Sequence, residues 1–302
     1  MGGPDVNVVR MDRVTKRYGR VTALDGVGIT LAENTIHGLL GRNGAGKTTV
    51  MQILTGQRSE TSGTVEVFGR HPYENPDVLA NVCFVKESQR YPDKFKVKHA
   101  LRAGGLLFPN WDADFAASLV AEFGVPVNQV IAKLSRGQLS AVGVIIGLAS
   151  RAPLTLFDEP YLGLDAVARR LFYDRLLADY AERPRTVVLS THLIDEVGDL
   201  IEHVVLIDQG RVLIDADAET LRGQTVTVTG PADAVDRFVA GRTELHRERL
   251  GGVLRVTLTG VPERPLDSGL DFEPVSLQQL VVRATQPNGR PVAVDPGQGR
   301  HR

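Results

Sequence analysis

The sequence predicts an α/β fold: a mostly parallel sheet with helices around it, a helical subdomain within it, and a small α+β appendage after it. Three observations predict this. Apolar strand-like runs alternate with helix-like periods through most of the 302 residues. A Gly-rich loop, Gly41 to Thr48, lies between one such run and one such helix. Near Arg222 the composition shifts to short alternating segments.

Taken in order, alternation around Val6 to Val9 and Val27 to Leu31 predicts two strands. A buried strand spans about Thr35 to Leu40, and Lys47 to Leu54 has helical character. Short strands are expected at Thr64 to Phe68, bounded by Gly63 and Gly69, and at Asn81 to Val85. From about Asp93 to Val130 the pattern is helical: Leu101, Leu106, Leu107 and Phe108 suggest one helix, and Phe115, Leu119 and Phe123 another. Helix follows over Ser135 to Ala149, then a buried strand at Leu154 to Phe157 and a helix from about Ala166 to Ala181. Buried strands at Thr186 to Leu189 and Val204 to Ile207 complete the main domain, 6–221, whose helical subdomain covers about 93–150. In the appendage, 222–285, Thr225 to Thr229 and Val253 to Leu258 alternate as strands, while Ala232 to Val239 and Ser276 to Ala284 read as helices. The tail 286–302 is rich in Gly, Pro, Asp and Arg, has no apolar period and reads as disordered.

Bulk properties narrow the function. Apolar residues make up 42%, enough for a sizeable core. Charge is balanced, Lys+Arg 35 against Asp+Glu 36, so no strong field gathers nucleic acid or anionic lipid. One cysteine, Cys83, rules out a disulfide within the chain and suits a reducing compartment. Met1-Gly2-Gly3-Pro4-Asp5 does not read as a signal peptide. The longest nearly uninterrupted apolar stretch, Ala141 to Ala149, is about half of a membrane span. Its Gly143…Gly147 spacing mimics a transmembrane dimer motif, but so short a stretch fits a buried helix better.

Gly41-Arg42-Asn43-Gly44-Ala45-Gly46-Lys47-Thr48 fits G-x-x-x-x-G-K-[ST], and Thr49 continues it into the helix. Glycines let the backbone wrap phosphates with its N–H groups inward, and the helix start adds partial positive charge. Lys47 would reach the β- and γ-phosphates and the Thr48 hydroxyl would join a Mg²⁺ shell. This loop specifies a nucleoside triphosphate, not a reaction. Leu154-Thr155-Leu156-Phe157-Asp158-Glu159 is an apolar strand ending in two acids, delivered to the same sheet edge as the loop. Asp158 is placed to hold Mg²⁺ through water, and Glu159 to polarise the attacking water as general base. Alone, such a pair could be a solvated loop; with the phosphate loop upstream, the catalytic role is the better account.

Between these motifs lies Leu134-Ser135-Arg136-Gly137-Gln138; after them come Leu162-Gly163-Leu164-Asp165 and Ser190-Thr191-His192. The ordered set, over about Val8 to Leu221, resembles the ATP-binding subunits of ABC transporters. The resemblance implies a two-chain mechanism with ATP and Mg²⁺. Two copies, or this chain and a related subunit, pair head to tail and sandwich two ATP molecules. Ser135, Gly137 and Gln138 of one subunit then complete the site on the loop of the other, Ser135 offering a hydroxyl and helix-start N–H groups. His192 becomes the γ-phosphate sensor, Asp165 couples the two sites while also able to cap a helix, and Tyr18 stacks on adenine. Arg136 departs from the commonest residue, Gly, at a variable position. The family also has a Gln after the strand at Asn81 to Val85 that touches Mg²⁺. Here Glu87 stands there and Gln89 lies two residues on; Glu87 is the preferred metal contact, with Gln89 reaching the site through a shifted loop as the alternative.

The same resemblance implies an integral membrane permease as partner, a place at the cytoplasmic face of the cell membrane, and no nucleic acid. Phe108-Pro109-Asn110-Trp111-Asp112 resembles a bacterial exporter branch with separately encoded permeases, though Trp111 could equally be a core aromatic. The alternative is a soluble ABC ATPase acting on ribosomes or DNA. One phosphate loop and no heptad run speak against the tandem cassettes and inserted coiled coils of those members. Lys47, Asp158, Glu159 and His192 speak against a module that binds without hydrolysis.

Overall fold

The first strands are longer than the alternation suggests. β1 (Asn7–Tyr18) and β2 (Val21–Ala32) form an antiparallel hairpin. Val9, Met11 and Val14 face the core, and Arg10 and Asp12 face outward. A register shift between Met11 and Val14, where Arg13 holds φ +47°, breaks the strict two-residue period that a sequence reading needs. The computed structural model describes residues 7–87, 89–223, 225–259 and 269–285. They divide into two compact units: residues up to 37 with 46–191, and 38–45 with 192 onward.

In the first unit, β3 (Ile36–Leu40) is buried throughout and its end crosses into the second unit; α1 (Lys47–Leu54) opens after the Gly-rich loop. β4 (Ser62–Val67) pairs with the other edge of β1, giving the antiparallel order β2-β1-β4. The short α2 (Pro76–Leu79) is capped by Asn75, whose side chain accepts the Val78 N–H at 3.3 Å. β5 (Val82–Lys86) leads to α3 (Val97–Leu107), α4 (Ala113–Glu122) and α5 (Arg136–Ser150). Then come β6 (Leu154–Asp158), α6 (Ala166–Glu182) and β7 (Thr186–Thr191). β5, β6 and β7 run parallel and in register, so Lys86, Asp158 and Ser190 end at one edge.

α5 is the buried helix against these strands. A Cβ on Gly147 would meet the Phe157 ring and the Val85 side chain at 2.8 Å, and one on Gly143 would meet Val85 at 3.1 Å. The two glycines therefore serve close helix–strand packing. Among the described residues no helix is long and apolar enough to cross a membrane. Arg151, the C-cap of α5, bonds Asp112 and also Asp179 at 2.8 Å, while Arg185 reaches the same Asp179 at 2.5 Å. This cluster ties the starts of α4 and β7 to α5 and α6.

The second unit holds α7 (Ile194–Val197), the antiparallel hairpin β8 (His203–Asp208) and β9 (Arg211–Asp217), and α8 (Ala218–Gly223). Its remaining elements are β10 (Thr225–Pro231), α9 (Ala232–Val239), β11 (Glu244–Leu250), β12 (Val253–Thr259), β13 (Asp271–Pro274) and α10 (Leu277–Ala284). The four strands form an antiparallel sheet in the order β11-β12-β10-β13. Val226, Val228, Val235, Val239, Leu254, Val256 and Leu258 make its core with α9. β9, β11 and β13 were not among the strands expected from the sequence. β11 is an edge strand, Glu-Leu-His-Arg-Glu-Arg-Leu, with almost no apolar face to signal it. Its clue was the Gly251-Gly252 hairpin turn, with Gly251 at φ +62°. The tail expected to be disordered, 286–302, lies outside the described residues.

Candidate active site

The phosphate-loop motif passes between units: Gly41 to Ala45 belong to the second, Gly46 to Thr48 to the first. In the first unit Gly46, at φ +114°, is the N-cap of α1, and no side chain caps that helix end. A helix start of this kind presents backbone N–H groups that can meet an anion. Lys47 is buried, and burial lowers its pKa, with Glu159 and then Asp158 opposing that shift. Thr49 stands half-buried in the first turn of α1.

Asp158 ends β6 and is buried. The Thr48 hydroxyl donates to its Oδ2 at 2.9 Å, while its Oδ1 has no hydrogen-bond partner among the described residues. An orphaned buried carboxylate oxygen is costly unless something fills it. Nor do three His, Cys, Asp or Glu side chains gather into a metal cage among the described residues. Mg²⁺ needs no such cage, because it takes most of its oxygens from phosphate and water and only one or two from carboxylates. Asp158 Oδ1 beside Thr48 fits that demand. The Glu87 N–H donates to the Asp158 carbonyl at 3.2 Å, which brings exposed Glu87 to the same edge. Gln89, the alternative, lies half-buried two residues on.

Glu159 follows with φ +51°, an uncommon backbone for a non-glycine residue, held by its N–H donating to the Ser190 carbonyl at 3.1 Å. Its carboxylate Oε2 accepts the Tyr161 hydroxyl, and Tyr161 in turn accepts the Thr191 hydroxyl at 3.0 Å. Tyr161 was not among the expected site residues, because no spacing rule marks a residue that reaches back two positions.

In the second unit Gly41 has φ +148°, and a Cβ there would strike the Ile207 carbonyl oxygen, so only glycine fits. The Ala45 N–H donates to the Arg42 carbonyl at 3.1 Å, and the Ala45 carbonyl accepts the Gly210 N–H at 2.9 Å. His192 is exposed and lines an open polar cavity with Arg42, Asn43, Gly44, Ala45, Asp208 and Gln209. Thus the loop and His192, far apart in sequence, share one cavity. Asp208 and Gln209 were not anticipated; the turn signature Asp208-Gln209-Gly210 after a buried strand could have indicated them.

The remaining candidates lie in the first unit. Ser135 caps α5: its hydroxyl oxygen accepts the Gln138 N–H at 3.2 Å, and the Gln138 side chain accepts the Ser135 N–H at 3.1 Å. Gly137 packs on the Gly163 carbonyl, which a Cβ would meet at 2.8 Å. Asp165 caps α6 through the Ala168 N–H at 2.8 Å. Tyr18 ends β1, is 40% exposed, and has the Lys16 ammonium 5.3 Å from its ring centroid.

Residues 24–162 match the sequence family described as ABC transporter. The chain is 30% identical over 220 residues to Nod factor export ATP-binding protein I of Cupriavidus metallidurans, covering 71% of this chain and 72% of that protein. It is 32% identical over 201 residues to the aliphatic sulfonates import ATP-binding protein of Corynebacterium glutamicum, covering 65% and 79%. In fold it is similar, with a TM-score of 0.61 at 21% identity, to an ATP-binding cassette solved as a dimer in a post-hydrolysis state with ADP and Pi, over 70% of this chain and 98% of that one.

Proposed function

The chain belongs to the ATP-binding proteins of ABC transporters, and from that premise we propose how its own residues carry out the work. It binds and hydrolyses ATP. The observation that carries the residue assignment is the cluster of buried Lys47, the Thr48–Asp158 bond and the orphaned Asp158 Oδ1. Lys47 and the N–H groups of Gly41 to Thr49 hold the phosphates. Thr48, Asp158 and Glu87 hold Mg²⁺, which when bound neutralises phosphate charge during transfer. Glu159 accepts the proton of the attacking water, and His192, sharing a cavity with the loop, orients the γ-phosphate. Tyr18 stacks on adenine.

Each site is completed by Ser135, Gly137, Gln138 and Asp165 of a second ATP-binding subunit. In support, the capping bond uses the Ser135 oxygen as an acceptor and does not consume its O–H hydrogen, and the neighbour in fold is a cassette dimer. Closure of the pair drives a separate membrane permease at the cytoplasmic face. Export is the preferred direction, supported by the Phe108 to Asp112 stretch and the Nod factor export relative. Uptake is the second reading, favoured by the sulfonate import relative. Purification of the tagged chain from native membranes should recover a polytopic permease; recovery of ribosomes or DNA instead would overturn the transport reading. Substrate accumulation in inside-out vesicles energised with ATP would establish export, and substrate loss uptake.

A further inference from the structure

Tyr161 lies two residues beyond Glu159 and is only 2% exposed. The backbone between them turns tightly. Glu159 holds φ +51°, its carbonyl accepts the Leu162 N–H at 3.1 Å, and the Tyr161 carbonyl accepts the Leu164 N–H at 2.9 Å. Pro160 fixes its own φ inside this turn. The phenol is thereby returned to the Glu159 carboxylate and donates to Oε2. Thr191, buried at the end of β7, donates its hydroxyl to the phenolic oxygen at 3.0 Å. The direction of this chain is forced. An ionised carboxylate only accepts, so Tyr161 must donate to it, and its oxygen then receives from Thr191. Donors in series polarise one another.

We infer that Tyr161 is a positioning residue for ATP hydrolysis: its hydroxyl, oriented by Thr191, pins Oε2 of Glu159 and presents Oε1 to the attacking water. The inference rests on Glu159 being the general base. A Glu side chain has several staggered rotamers, and a base acts only within hydrogen-bond reach of its proton. The left-handed backbone at Glu159 aims the side chain, and the phenol removes its remaining freedom.

Tyr161→Phe keeps the ring and removes only the hydroxyl. With the full chain, Mg²⁺ and ATP, it should lower kcat roughly tenfold while KM for ATP moves by less than about twofold. Thr191→Val should lower kcat less, and Thr191→Ser should restore it. The double variant Tyr161→Phe/Thr191→Val should be no slower than Tyr161→Phe alone, because Thr191 acts through Tyr161. An unchanged kcat in Tyr161→Phe, a change confined to KM, or additive losses in the double variant would each overturn the inference. Glu159→Gln is measured in parallel. If it is inactive while Tyr161→Phe is normal, only the role of Tyr161 falls. If it turns over at the wild-type rate, the general-base reading falls and takes this inference with it.

Discussion

At the scale of single residues, the site combines groups that chemistry demands with groups that the fold alone supplies. Glu159→Gln removes a base but keeps an isosteric acceptor. ATP binding should survive and turnover should drop about 10²- to 10⁴-fold; wild-type turnover would contradict the assignment. Lys47 has the opposite profile: burial works against its charge in the ATP-free chain. Lys47→Met should therefore raise the melting temperature without nucleotide while abolishing the further rise that ATP produces. A variant still stabilised by ATP would sink the phosphate role. That Thr48 and Asp158 would meet was legible because the motif from Gly41 to Thr48 sets residue types at fixed offsets, and because Asp158 and Glu159 end an apolar run. Tyr161 was not, since its partner is chosen by a turn, not by a spacing. The unexpected Glu87 was legible as a departure, and its N–H bond to the Asp158 carbonyl is what brings it to the strand ends.

At the scale of elements, helix caps and helix–strand seams hold the site's scaffold together. Ser135 both caps α5 and is proposed to meet ATP across a dimer, and substitutions can separate the two roles. Ser135→Ala should lose about 1 kcal/mol of stability and most ATPase activity. Ser135→Asp should recover the stability, as another good cap, but not the activity, because it places a carboxylate against phosphate. Recovery of both by Asp would leave Ser135 with capping alone. Gly147→Ala should cost about 1–3 kcal/mol, read as a lowered denaturation midpoint, because the added methyl meets Phe157 and Val85. Elements with an uninterrupted period were the ones read well from sequence: Arg136–Ser150, Leu154–Asp158, Thr186–Thr191 and Ala232–Val239. β1 and β2 were read short where a bulge resets the alternation, and the charged edge strand β11 gave no apolar signal at all.

At the scale of the whole molecule, the proposed division of the site between copies predicts association that depends on nucleotide. Light scattering on Glu159→Gln should find a monomer without ATP and a dimer at saturating ATP; a monomer under both conditions would count against the two-copy site. Cys83 gives a second measurement. It is buried on β5, and burial pushes its thiol up to about 11, so at pH 8 it is protonated as well as shielded. Labelling by a thiol reagent should then report unfolding of the parallel strands and follow the global denaturation curve. Rapid labelling of the native chain would refute that burial. The succession of strands and helices was readable because each has its own apolar period, whereas the antiparallel pairing of β10 to β13 depends on contacts between distant segments that no local pattern encodes. The seam between Gly147 and Phe157 also has a historical meaning. Since neither side can grow alone, lineages of this protein should exchange volume across it, a larger residue at one position appearing only with a smaller one at the other. Descent would then have preserved the thickness of the seam more faithfully than the identity of either residue.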